Sequence, residues 1–145
     1  GMRIAFSVVN ALAAPDKTPV VAHNSGAAVV YARGASQSVV VGDARRKQLW
    51  IGAFEGLELS RAFTLIEPSD LPEWIQRDTV VLSPDYDRLA SVLDPYMGDS
   101  AGSSIPQAAD LAKVVCLRAR SGLEIELFEP LYLHPPVFVE PRFPA

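Results

Sequence analysis

Asp43 is the residue in this chain best placed to do chemistry. It follows Val39-Val40-Val41-Gly42, an apolar β-branched run of the kind that forms a strand buried on both faces. Ligands of open α/β sheets gather beyond such strand ends. Arg45-Arg46-Lys47 comes directly after, so Asp43 and Arg45 together outline a site for a small anionic ligand or nucleotide. The plainer reading is structural: a lone carboxylate at a strand end shapes a turn through nearby backbone N–H groups. Three basic residues in a row are, in the same spirit, an ordinary solvated turn.

The remaining reactive side chains do not converge. His23 has no second His, Cys or carboxylate at ligand spacing and reads as a capping or packing residue. His134, between Leu133 and Pro135, reads as structural, and Cys116 as a buried, inert thiol. Gly98-Asp99-Ser100-Ala101-Gly102-Ser103-Ser104 could cradle a phosphate, but it lacks the Lys-Ser/Thr ending of a P-loop and the spacing of a dinucleotide fingerprint, so a linker is expected. His-x-x-x-His, Cys-x-x-Cys and Gly-x-Ser-x-Gly are all missing. No catalytic residue, metal or cofactor is assigned.

Bulk properties narrow the class. A chain of 145 residues suits one domain spanning 2–145, with Gly1 read as a remnant of tag removal. The net charge of -4 argues against direct nucleic-acid binding, which draws its affinity from clustered Lys and Arg. One cysteine precludes an internal disulfide, and no apolar run reaches the roughly 18 residues of a membrane span. Asn10 interrupts the short apolar start that would otherwise imitate a signal peptide, and a cytoplasmic location is expected.

The elements that must position these residues follow from periodicity. Met2 to Ala14 places Ile4, Val8, Ala11 and Leu12 at helical spacing, with Phe6 and Val9 widening the stripe. A helix this apolar requires cover. Thr18 to Ala22 predicts a short strand, and Asn24 or Ser25 caps a helix over Ala27 to Arg33. Val39 to Val41, Leu49 to Phe54 and Leu59 to Ile66 predict an antiparallel meander, with Asp43 to Gln48 as the first connection. Ser69 caps a short helix, Asp78 to Ser83 is another buried strand, and Arg88 to Leu93 is a helix closed by Asp94-Pro95. The longest helix runs from Ile105 to about Arg120 with Ala108, Leu111, Ala112, Val115 and Cys116 on its apolar side. The proline-rich end, 128–141, predicts an extended arm rather than a central strand.

Four segments, in order, resemble the TsaB (YeaZ) family of the actin and Hsp70-like ATPase superfamily. They are Arg3-Ile4-Ala5-Phe6-Ser7-Val8-Val9-Asn10-Ala11-Leu12-Ala13, Thr18-Pro19-Val20-Val21-Ala22-His23-Asn24-Ser25, Asp43-Ala44-Arg45 with Leu49-Trp50-Ile51-Gly52-Ala53-Phe54, and Glu129-Pro130-Leu131-Tyr132-Leu133. The Asp-Ala-Arg segment is the most specific. The resemblance implies an α/β fold, half of an actin-like, ribonuclease H-like unit with a mixed sheet of about four or five strands flanked by helices.

Members of that family are regarded as non-catalytic partners of TsaD, the enzyme that places threonylcarbamoyl on adenosine of tRNA. The resemblance thus implies an inactive, glycoprotease-like interaction protein that pairs with a TsaD-like protein or with itself. Arg3, Phe6 and Asn10 on the first helix are its expected interface. The family's first lobe, with its Asp-Thr-Ser and Gly-Pro-Gly-Ser-Phe-Thr-Gly segments, has no counterpart here, which implies a truncated or degenerate member, or a gene start placed too late.

Overall fold

Val39, Val40 and Val41 are each at most 1% exposed, and because successive strand residues point to opposite faces, this run commits both sides of its strand to a core. The computed structural model describes residues 2–98, 101–122 and 129–134. The central strand β1 (Gln37–Arg45) pairs antiparallel with β2 (Gln48–Glu55), which pairs antiparallel with β3 (Glu58–Ile66). On its other side β1 pairs parallel with the short β4 (Val80–Leu82), giving the order β3-β2-β1-β4.

Helices cover both faces. Three helices matter here: α2 (Ser25–Arg33), α3 (Tyr86–Met97) and α4 (Ala108–Arg120). Val39, Val41, Leu49 and Ile51 pack with Leu89, Leu93 and Met97 of α3 and with Leu71 and Trp74, from a 3₁₀ segment at Pro68–Glu73 and the residue after it. On the opposite face Val40, Phe54 and Leu82 pack with Ala27, Val29 and Val30 of α2 and Val114 of α4. The result is a mixed α/β sheet between two helical layers, the fold class read from the sequence.

Helix α2 starts where Asn24 accepts a hydrogen bond from the Ala27 N–H at 2.9 Å and stops at Gly34, whose φ of 68° is open to glycine. Its residues Gly26 to Val30 are all buried, and their small size lets the helix lie close to the sheet. Phe63 fills that space, edge-on to Trp50 at 5.8 Å and to Phe54 at 6.0 Å between ring centroids. Gly52 is required beneath it, because a Cβ there would stand 2.7 Å from the Phe63 ring.

Several sequence readings are corrected. Thr18 to Ala22 forms no strand, and Ala22 alone makes an isolated bridge; Pro19 removes a donor the ladder would need. The β1–β2 connection is shorter than Asp43 to Gln48, since β1 continues to Arg45 and only Arg46 and Lys47 lie between the strands. Glu67, not Ser69, precedes the 3₁₀ segment, and its N–H donates to Asp70 Oδ2 at 3.1 Å.

Helix α3 does not close at Asp94-Pro95 but runs through Pro95 to Met97. Burial of Leu93 and Met97 outweighs the backbone bond the proline forfeits. Helix α4 begins at Ala108 rather than Ile105 and is turned about its axis from the expected setting: Val114 is buried, while Ala112 and Cys116 are exposed. Apolar residues run most of the way round this helix, from Leu111 and Val115 through Ala112 and Cys116 to Leu117 and Val114, which made the packed face ambiguous, and contact with α2 selected it. Of the proline-rich end, 129–134 is described and has no regular secondary structure, while 123–128 and 135–145 lie outside the described residues.

Candidate functional site

Two places carry the residues singled out from the sequence. The first is the corner where β1 and β4 end side by side. Their parallel register, Val40 opposite Leu82, brings Asp43 next to the Ser83-Pro84-Asp85 turn. The Asp43 N–H donates to Asp85 Oδ2 at 3.0 Å, and the Asp85 N–H donates to Ser83 Oγ at 3.1 Å.

Both carboxylate oxygens of Asp43 are engaged. Oδ1 accepts the Arg45 N–H at 2.7 Å, and Oδ2 lies 3.6 Å from the Arg88 guanidinium. The first bond holds the irregularity at Ala44, where the β1–β2 register slips between Asp43 and Arg45. His134 Nε2 donates to the Ala44 carbonyl at 2.8 Å, since a carbonyl oxygen only accepts. Arg46 and Lys47 take positive φ, 52° and 65°, as a two-residue type I′ hairpin turn requires of its central pair, and Arg45, at 64°, does so beside the register slip.

Asp43 and Arg45 therefore do meet, but through the Arg45 backbone. The guanidinium of Arg45 belongs to an exposed residue beyond the corner. Asp85 and Arg88 join the site without having been singled out. The strand-end argument that identified Asp43 applies equally to Asp85, three residues past β4. Arg88 reaches the corner through the folding of α3, which leaves no mark in sequence. Among the described residues, no three His, Cys, Asp or Glu side chains group to hold a metal ion.

The second place is α1 (Met2–Ala13), in which no residue is buried. At about 100° per residue, Arg3, Phe6, Asn10 and Ala13 share one side. This side is turned toward the rest of the chain: Phe6 and Ala13 are half-buried, and the Arg3 guanidinium stands 5.3 Å over the Tyr132 ring. Asn10 rims a hollow of about 420 Å³ with Lys17, Thr18 and Val20. The opposite side presents Ile4, Val8 and Leu12 to solvent, with exposures of 68%, 50% and 76%. That stripe is the uncovered apolar surface the helical periodicity implied. No helix of the described residues is long and apolar enough to cross a membrane.

No model of a protein family matches the sequence, and no curated protein matches it. Solved structures do. YeaZ from Pseudomonas aeruginosa superimposes with a TM-score of 0.63 at 21% identity, covering 83% of this chain and 60% of its own. A protein described as similar to peptidase YeaZ, also from Pseudomonas aeruginosa, gives 0.64 at 22% identity, covering 91% of this chain and 67% of its own. The chain thus shares the fold of the greater part of these proteins and spans about 60% to 67% of their length.

Proposed function

We propose that this chain is a TsaB-like interaction protein, without catalytic activity of its own, related to threonylcarbamoyladenosine modification of tRNA. One observation carries the reading: α1 exposes Ile4, Val8 and Leu12 along one side and buries no residue. A 12-residue helix is marginal by itself in water, so an apolar stripe on such a helix calls for a partner surface. The likeness in fold to YeaZ and the Asp43-Ala44-Arg45 segment favour a TsaD-like protein or a second copy of this chain as that partner. In this interface Ile4, Val8 and Leu12 form the centre, with Arg3, Phe6 and Asn10 on the flank nearest the chain's own residues.

Engagement of both Asp43 oxygens supports a structural role for that residue and weakens the reading of a ligand site at the corner. The direct test is solution mass by light scattering, alone and mixed with the TsaD-like protein of the same organism, for the wild type and for Ile4→Glu and Leu12→Glu. A homodimer or mixed complex that both substitutions dissolve is the expected result. A wild-type monomer that ignores the TsaD-like protein would overturn the proposal.

A further inference from the structure

Arg61 lies flat on Trp74, its guanidinium carbon 3.4 Å from the indole centroid. Trp74 is anchored in the core beneath it, so the guanidinium rests on a rigid platform, and its NH1 donates one long bond to the Glu73 carbonyl at 3.4 Å. Arg88, Lys113 and Arg118 each reach a carboxylate, at 3.6, 2.9 and 2.6 Å. Among the described residues Arg61 reaches none. A stacked guanidinium with spare N–H donors is a pre-organised fork for a carboxylate.

This fork borders a groove of about 200 Å³ between β3 and the turn after the 3₁₀ segment, lined also by Gln37, Glu55, Ser60, Gln76 and Thr79. Thr79 Oγ1 accepts the Gln76 N–H at 3.2 Å, which leaves its own proton for a ligand. Arg61 stands opposite Ala53 on β2. Glu55 is two residues further along that strand, on the same face and about 7 Å away. Glu55 also makes no ion pair among the described residues. Its negative charge opposes a phosphate dianion and suits an ammonium group.

We infer that this groove binds a small α-amino acid, with Arg61 holding the carboxylate, Glu55 the ammonium, and Gln37, Ser60, Gln76 and Thr79 the polar remainder. The site is separate from the α1 interface and does not depend on it.

Titration of the ¹⁵N-labelled chain with the common amino acids, acetate and inorganic phosphate tests the inference. The readouts are the Trp74 indole N–H, identified by its loss in Trp74→Phe, and the amides of Gln76 and Thr79. Saturable shifts with at least one amino acid are expected at Kd on the order of 1 mM. Arg61→Gln should weaken them about tenfold or more. Glu55→Gln should weaken amino acids and leave acetate unchanged. Absence of saturable shifts with any amino acid, identical titrations in Arg61→Gln, or phosphate binding as tightly as the best amino acid would each overturn the assignment.

Discussion

Trp50 lies on Gly42, its partner across β1 and β2, so closely that a Cβ at position 42 would fall 2.2 Å from the indole. The glycine is therefore a packing requirement, set by the ring that closes one face of the sheet. Gly42→Ala should displace Trp50 and its neighbour Phe63, at a cost of about 1–3 kcal/mol by overpacking. Urea unfolding followed by tryptophan fluorescence measures it, and an unchanged midpoint would mean the indole can leave the glycine freely.

Asp43 gives a sharper test of structure against ligand chemistry. Asp43→Ala removes the acceptor for the Arg45 N–H and should cost about 1 kcal/mol. Asp43→Asn keeps that acceptor and loses mainly the pairing with Arg88, whose side chain is 69% exposed; such a pair contributes less than about 1 kcal/mol. Asn should accordingly be the milder change in chemical denaturation. Equal losses would show that the charge, rather than the turn geometry, is what the corner requires.

Pro95 sits inside α3, where it forfeits a backbone bond, and is exposed. Pro95→Ala should raise stability by about 1 kcal/mol, the helical gain being partly offset by greater freedom of the unfolded chain. A differential scan of the two proteins decides it. A lower melting temperature would indicate that the proline sets the direction in which the chain leaves α3.

Tyr86 donates to Asp94 at 2.7 Å. This bond, then desolvation, then the negative charges of Asp94 and Asp87, hold the phenol above its ordinary pKa of 10.0. Because the folded pKa exceeds the unfolded one, the contribution is complete below about pH 10 and is lost as pH rises through the folded value. Stability of the wild type should fall through this alkaline window more steeply than that of Tyr86→Phe. Parallel profiles between pH 8 and 11, about one unit or more on either side of the phenol's ordinary value, would remove the bond from the account.

The sequence by itself determined the kind of fold and much of its order. The β-branched run Val39 to Val41 required a strand covered on both faces, Asn24 or Ser25 marked the start of α2, and the apolar segments Leu49 to Phe54 and Leu59 to Ile66 set the meander. These signals are local, because backbone propensity and side-chain period act within a few residues.

Only the tertiary structure decided which side of α4 packs, whether α3 passes Pro95, and which charges meet at the Asp43 corner. Each depends on a surface supplied from elsewhere in the chain: α2 for α4, the sheet for Leu93 and Met97, and α3 for Arg88. The Arg61–Trp74 stack belongs to the same class. Its partners stand 13 positions apart on separate elements, and no spacing rule joins a strand residue to an indole beyond the next turn.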